Sequence, residues 1–210
     1  MGAGDPMHPN PAFRQTAREA NLEFARARGF GMLAVSGPDA PALAHVPFLL
    51  SADGTAADLH LARSNPIART GLPAAAVIAV AGPDAYVSPD WYGLDDQVPT
   101  WNYVAVHLRG VLHPLPVETL RDHADALSAR FEAELAPKKP WVSAKMADGT
   151  MDRMMRMILP FRLVIDTIEG TWKLNQNKPA EARLAAAMAL EARGGEPPAQ
   201  SLARLMRQVD

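Results

Sequence analysis

Between Gly31 and Leu112 the chain breaks into short apolar runs with turn residues between them. The runs are Gly31 to Ser36, Leu43 to Leu50, Leu59 to Ala62, Ala74 to Val80, Ala85 to Ser88 and Trp101 to Leu112. Gly37-Pro38-Asp39, Asp53-Gly54 and Gly82-Pro83-Asp84 stand at three of the junctions. Glycine relieves the backbone at all three, and proline presets it at two, so these segments read as turns. Short strands joined by turns favour an antiparallel barrel or sheet over a doubly wound fold. The continuous apolar run Ala74 to Val80 predicts a strand buried on both faces. In the last run, Trp101, Tyr103, Ala105 and His107 share one face, with Asn102, Val104, Val106 and Leu108 on the other.

Helices flank this meander. Asn10-Pro11 predicts an N-cap followed by proline at the first helical position. The helix it opens carries Phe13, Ala17, Ala20, Phe24 and Ala27 on one stripe and ends at Gly29. Asn65-Pro66 opens a short helix that closes at Gly71. Pro116 to Ala136 reads as an amphipathic helix with Leu120, Leu127, Phe131 and Leu135 inward. Asp148 to Leu159 is a helix whose Met151, Met154, Met155 and Met157 read as core filler. Phe161 to Lys173 returns as a strand. Lys178 to Arg193 is an Ala-rich helix ending at Gly194-Gly195, and Pro198 to Val209 a further short one. The expected class is mainly β with flanking helices (α+β). Residues 9–193 form the domain and 194–210 a helical tail. Residues 1–8 are a disordered or expression-derived N-terminus, with Met7 a candidate native start.

Composition removes several function classes. The 210 residues are 48% hydrophobic and 21% charged, which fits a globular core. The net charge of -2 offers no basic excess for nucleic acid or anionic lipid. Cysteine is absent, which excludes disulfides, thiolate catalysis and cysteine-based zinc sites. No signal peptide is read at the N-terminus, and the longest apolar stretch, near Leu72 to Ala81, is too short for a membrane span. These features fit a cytoplasmic protein. The six histidines show no H-x-x-x-H or H-E-x-x-H spacing, so no metal site is expected. Gly29-Phe30-Gly31-Met32-Leu33-Ala34 matches G-x-G-x-x-A, but it closes a helix and opens a strand, the reverse of a dinucleotide site. Ser88 has no G-x-S-x-G context.

Two patches carry more chemistry. Val98-Pro99-Thr100-Trp101-Asn102-Tyr103 and Trp172-Lys173-Leu174-Asn175-Gln176-Asn177 each join a flat apolar side chain to amide or cationic groups near a strand end. Apolar walls with a few placed polar groups are how small-ligand sites are built; aromatic core packing with amide turns is the alternative. A third segment, His60 to Pro66, joins a strand end to a helix start. There Arg63 can fork onto phosphate oxygens, or it is a solvated charge beside a cap made by Asn65. In Ala44-His45-Val46-Pro47-Phe48 the proline marks a strand edge or a bulge, which can re-aim side chains.

Taken in order, these segments resemble the PaiB-type FMN-binding regulators. The resemblance rests on His45-Val46-Pro47-Phe48, His60-Leu61-Ala62-Arg63-Ser64-Asn65-Pro66 and Asp84 to Tyr92. It extends to Val98 to Tyr103 with Val106-His107, and to Trp172 to Asn177, covering about Pro9 to Leu190. Ser64 and Asn175 stand where the family pattern has Ala and Ser. The resemblance implies an antiparallel split β-barrel of the FMN-binding type, usually a homodimer with flavin at the subunit interface. It points to a cofactor site of His45, Pro47, Phe48, Ala62, Arg63, Ser64 and Asn65 with Thr100, Trp101, Asn102, Tyr103, Lys173, Gln176 and Asn177. It implies a sensing or regulatory role. The competing readings are a flavin-dependent oxidoreductase acting on a small substrate and a haem-binding protein of the related split-barrel type. Direct DNA binding is doubtful. The best helix pair, Lys178 to Arg193 with Pro198 to Val209, has Arg183, Arg193, Arg204 and Arg207, but Glu181, Glu191 and Glu196 interrupt it.

Overall fold

Six strands close into an antiparallel barrel in the order β1-β2-β3-β6-β5-β4. They are β1 (Phe30–Val35), β2 (Ala42–Leu50), β3 (Ala56–Ala62), β4 (Ala74–Val87), β5 (Thr100–Pro114) and β6 (Ile158–Lys173). Among the described residues five α-helices flank them: α1 (Arg18–Arg28), α2 (Leu120–Glu132), α3 (Thr150–Met155), α4 (Ala180–Ala192) and α5 (Pro197–Arg207). The structure is a computed structural model and describes residues 7–37, 40–69, 71–193 and 197–209. The expected turn at Pro38-Asp39 and the helix stop at Gly194-Gly195 lie outside the described residues, as do residues 1–6 of the N-terminus.

The described residues fall into two compact units. One comprises those up to Asn21, Ala81–Val106 and those from Glu169 onward; the other comprises Leu22–Val80 and His107–Ile168. In the second unit β1 pairs with β2 from Phe30↔Pro47 to Val35↔Ala42, and β3 pairs with β6 from Ala56↔Val164 to Ala62↔Ile158. Leu33, Phe48, Leu59, Ile78, Leu108, Leu112 and Leu163 are fully buried there. Each contributes about 1.5–3 kcal/mol relative to an exposed side chain. Gly29 ends α1 at φ +54°, and an added Cβ would meet the Phe131 ring at 2.6 Å. Gly110 lies so close to the Val164 carbonyl that a Cβ would sit 1.8 Å from its oxygen. In the first unit the small side chains Ala182, Ala186 and Ala187 of α4 are buried beside Leu202, Ala203 and Met206 of α5, so the helix pair packs closely.

Several sequence expectations change. The first helix is two pieces, a 3-10 turn at Pro11–Arg14 and then α1. Asn10 caps the turn as expected, its side chain accepting from Ala12 N at 3.0 Å. The chain then breaks, and Thr16 gives its carbonyl to Asn21 Nδ2. β4 runs unbroken through Gly82-Pro83-Asp84 for 14 residues. Residues 82–84 stay in the strand, so no tight turn forms there; instead the buried positions switch from 76, 78 and 80 to 85 and 87. Ala74 to Val80 is fully buried on one face only, because Val77 and Ala79 of the other face are half-buried. Leu135 is exposed, since α2 gives way to a 3-10 turn at Ala133–Leu135. The methionine run is not core filler: α3 is only six residues long, Met154 is 58% and Met157 68% exposed. The β5 alternation holds, with Asn102, Val104, Val106 and Leu108 buried.

Candidate functional site

Seven of the fourteen residues singled out in the sequence lie in the second unit. β3 ends at Ala62, and the chain turns at once: Asn65 N donates to Ala62 O at 2.9 Å. Asn65 Oδ1 accepts from Ile67 N at 2.9 Å, and fully buried Ile67 anchors the 3-10 turn Pro66–Arg69. This fixed turn leaves Ala62, Arg63 and Ser64 exposed. Arg63 is held by its backbone N to Met157 O at 2.8 Å and by Nε to Arg156 O at 2.8 Å. With Nε engaged, its two Nη groups remain as donors.

Arg63 lines a cleft of about 390 Å³ with Arg121, Arg156, Glu118 and Asp152 above an apolar floor that includes Leu120 and Ile158. Three guanidinium groups face two carboxylates, a net of one positive charge among the liners. Arg121 is committed to Asp125 at 2.8 Å and to Ser143 Oγ at 2.9 Å. Arg63 and Arg156 are therefore the cations left for an anion. Arg156 was not legible as a neighbour of Arg63, because it lies 93 positions away.

On β2, His45 is exposed and its ring stacks on Phe30, centroids 6.4 Å apart at 23°. Of the two readings for Pro47, a strand edge or a bulge, the edge fails, because β2 pairs with both β1 and β3. The ladder with β1 ends at Pro47 and the ladder with β3 begins at Phe48, so its missing N–H falls at their junction. Phe48 is a core side chain, 1% exposed, with its backbone N bonded to Gly29 O.

The other seven lie in the first unit. The pleat of β5 separates them. Trp101 is 57% exposed and meets Tyr86 edge to face at 6.4 Å, and Tyr103 is half-buried. Asn102 points the opposite way: it is fully buried, and Nδ2 lies 3.5 Å from Met206 Sδ. Lys173 Nζ donates to Thr100 Oγ1 at 2.5 Å and sits 5.9 Å from the Phe13 ring centroid. Burial pushes the Lys173 ammonium below the usual lysine range. Gln176 is used within the turn after β6: Oε1 accepts from Leu174 N at 2.7 Å and Nε2 donates to Trp172 O at 2.5 Å. Asn175 takes φ +64°, and Asn177 is exposed. The structure thus joins Thr100 to Lys173 directly and turns Asn102 into the interior.

Sequence reasoning passed over Lys178, which follows the amide run. Its Nζ lies 4.3 Å from the Tyr92 ring centroid and donates to Gln97 Oε1. The signal available was a cation directly after three amides. It also passed over a cleft of about 550 Å³ lined by Thr16, Trp172, Gln176 and Gln208, whose liners are far apart in the chain.

The comparisons with known proteins agree with this architecture. The family model described as "Putative FMN-binding domain" matches residues 7–167. The protease synthase and sporulation protein PAI 2 of Bacillus subtilis (strain 168) is 28% identical over 169 residues, covering 79% of this chain and 80% of that protein. Among solved structures, the FAD and heme binding protein of Mycobacterium smegmatis superposes with a TM-score of 0.56 at 18% identity, covering 83% of this chain and 80% of its own. A conserved hypothetical protein of Mycobacterium tuberculosis gives a TM-score of 0.57 at 17% identity, covering 80% and 92%. The flavocytochrome Anf3 of Azotobacter vinelandii gives 0.52 at 13%, covering 76% and 69%. At such identities the structures speak for the fold, a closed barrel of the flavin-binding split-barrel kind. With the domain model covering most of its length, the chain belongs to the FMN-binding domain family of which PaiB-type proteins are members.

Proposed function

We propose that the protein is an FMN-binding regulator that works as a homodimer in the cytoplasm, with the flavin at the subunit interface. The observation that carries this reading is the domain match over residues 7–167. The donor chemistry fits the group. A phosphate monoester brings about two negative charges near neutral pH, and Arg63 offers two Nη groups, unpartnered among the described residues, at a fixed strand end. Lys173, positioned by Thr100, offers a partly desolvated ammonium to the phosphate or the ring. Trp101 offers an exposed aromatic wall. Bound FMN supplies its own redox chemistry; the protein's part is to hold and orient it.

The dimer reading draws on apolar surface in the first unit. Val98 is 75% exposed, and Leu94, Tyr86 and Trp101 are exposed with it. A second copy would cover side chains of this kind. Regulation acts through a partner or a metabolite rather than through DNA. Of Arg183, Arg193, Arg204 and Arg207, Arg183 is buried with Nη2 on Val209 O, and Arg207 is paired with Glu191. Two exposed cations do not make a recognition surface. Among the described residues no helix is long and apolar enough to cross a membrane.

The absorbance spectrum of the purified protein, before and after added FMN, tests the cofactor; light scattering gives the mass. Flavin bands with a mass of twice 22.6 kDa are expected. A colourless protein that ignores added FMN overturns the reading. A 22.6 kDa monomer that retains FMN overturns the dimer clause.

A further inference from the structure

We propose that His60 and His123 form a two-histidine site for a divalent transition metal ion of the zinc, nickel or copper class, linking α2 to the barrel wall. The two residues stand 63 positions apart and share no sequence motif. The fold of the second unit brings them together. His60 lies on β3, on the same pleat face as Asp58, and His123 lies on α2. His60 Nδ1 and His123 Nε2 are 3.2 Å apart, with ring planes at 71° and centroids 5.4 Å apart.

That separation is what a shared metal ion requires. Zinc binds imidazole nitrogen at about 2.0–2.1 Å, so two ligands at a tetrahedral angle have nitrogens roughly 3.3–3.4 Å apart. At a right angle, as on copper or nickel, they are roughly 2.9 Å apart. The observed distance falls between the two. One ring donating a hydrogen bond to the other would also bring the nitrogens this close, and a bound metal would take the place of that proton.

The surroundings define the kind of site. Both rings are half-buried, so water can reach the remaining coordination positions. Among the described residues no third histidine, cysteine or carboxylate joins them. Asp58 is the nearby acid, but Arg162 holds both its oxygens, at 2.6 and 2.8 Å. It is a neighbour that adds negative charge, not a ligand. A donor set of two imidazoles and water suits zinc, copper or nickel; magnesium and calcium prefer oxygen ligands. Nothing in this site draws on the residues assigned to flavin.

The test uses the full chain, stripped with a chelator that is then removed. Zinc, nickel, copper and magnesium chlorides are titrated singly by calorimetry, with melting curves run in parallel. One equivalent of zinc, nickel or copper should bind and raise Tm, copper most tightly, and magnesium should not bind. His60→Gln and His123→Gln should each weaken binding by roughly tenfold or more, and His113→Gln should leave it unchanged. The copper-loaded wild-type protein should show nitrogen hyperfine structure in its electron paramagnetic resonance spectrum. That readout stands even if a variant fails to fold. Three results would each overturn the site and leave a hydrogen-bonded histidine pair only. These are no saturable binding by folded wild type, binding undiminished in both variants, or a copper spectrum without nitrogen coupling.

Discussion

Replacing Arg63 by alanine separates phosphate reading from ring binding. Arg63 sits where β3 ends, its Nε bonded to Arg156 O at 2.8 Å and its Nη groups unengaged among the described residues. Hydrogen bonds to charged groups contribute about 1.5–3 kcal/mol each. The side chain is exposed, and Arg156 lines the same cleft and can partly substitute. We therefore take the net loss as about one such bond, not two. Arg63→Ala should then weaken FMN binding roughly ten- to a hundred-fold. Arg63→Lys keeps the charge but not the planar fork, so it should recover part of the loss. Riboflavin lacks the phosphate. It should bind wild type weakly and be nearly indifferent to Arg63→Ala. Trp101→Ala should hurt both ligands about equally, because an aromatic wall touches the ring they share. Flavin fluorescence titration reads all of these. Equal loss of FMN and riboflavin on Arg63→Ala would show that this guanidinium does not read the phosphate.

Two further substitutions test the framework around the site. Thr171 is fully buried with Oγ1 unpartnered among the described residues, so Thr171→Val should raise stability by about 1 kcal/mol in urea unfolding; a loss would mean that the hydroxyl has a polar partner such as a buried water. Asp53 accepts from Ser51 Oγ at 2.7 Å and from Thr55 N and Oγ1 at 3.1 and 2.9 Å, which holds its carboxyl down to about 2. A depressed carboxylate stabilises above its unfolded pKa, and that contribution fades as pH falls toward 2. The stability gap between wild type and Asp53→Asn should therefore be full at pH 6 and shrink between pH 4 and pH 2, and a pH-independent gap would count against the assignment.

What the sequence revealed, and what it hid, follows from the range of each signal. Period-two alternation in β5 and the Asn65 cap are local patterns, and both stand in the structure. The β4 strand was misread because Gly82-Pro83-Asp84 has turn composition, while turn conformation depends on whether neighbouring strands hold the chain extended. The methionine run was misread because apolar residues do not say whether anything covers them, and α3 is too short to present a stripe. Arg63 with Arg156, and His60 with His123, are contacts of 93 and 63 positions. No composition or spacing rule reaches that far.

The two polar-aromatic patches show the same limit from inside a single strand. Asn102 invited a ligand role because it stands between two aromatics, yet the pleat sends Trp101 outward and Asn102 into the first unit. There Asn102 Oδ1 and Thr171 Oγ1 are buried with no hydrogen-bond partner among the described residues. An unsatisfied buried group costs about 1–3 kcal/mol, so these two amount to a concession in stability. Trp101, the outward neighbour of Asn102, makes no comparable demand on the core. Loss of Asn102 or Thr171 should thus act on folding free energy first, and loss of Trp101 or Lys173 on flavin affinity. A polar residue in a strand motif therefore needs its face assigned before its chemistry.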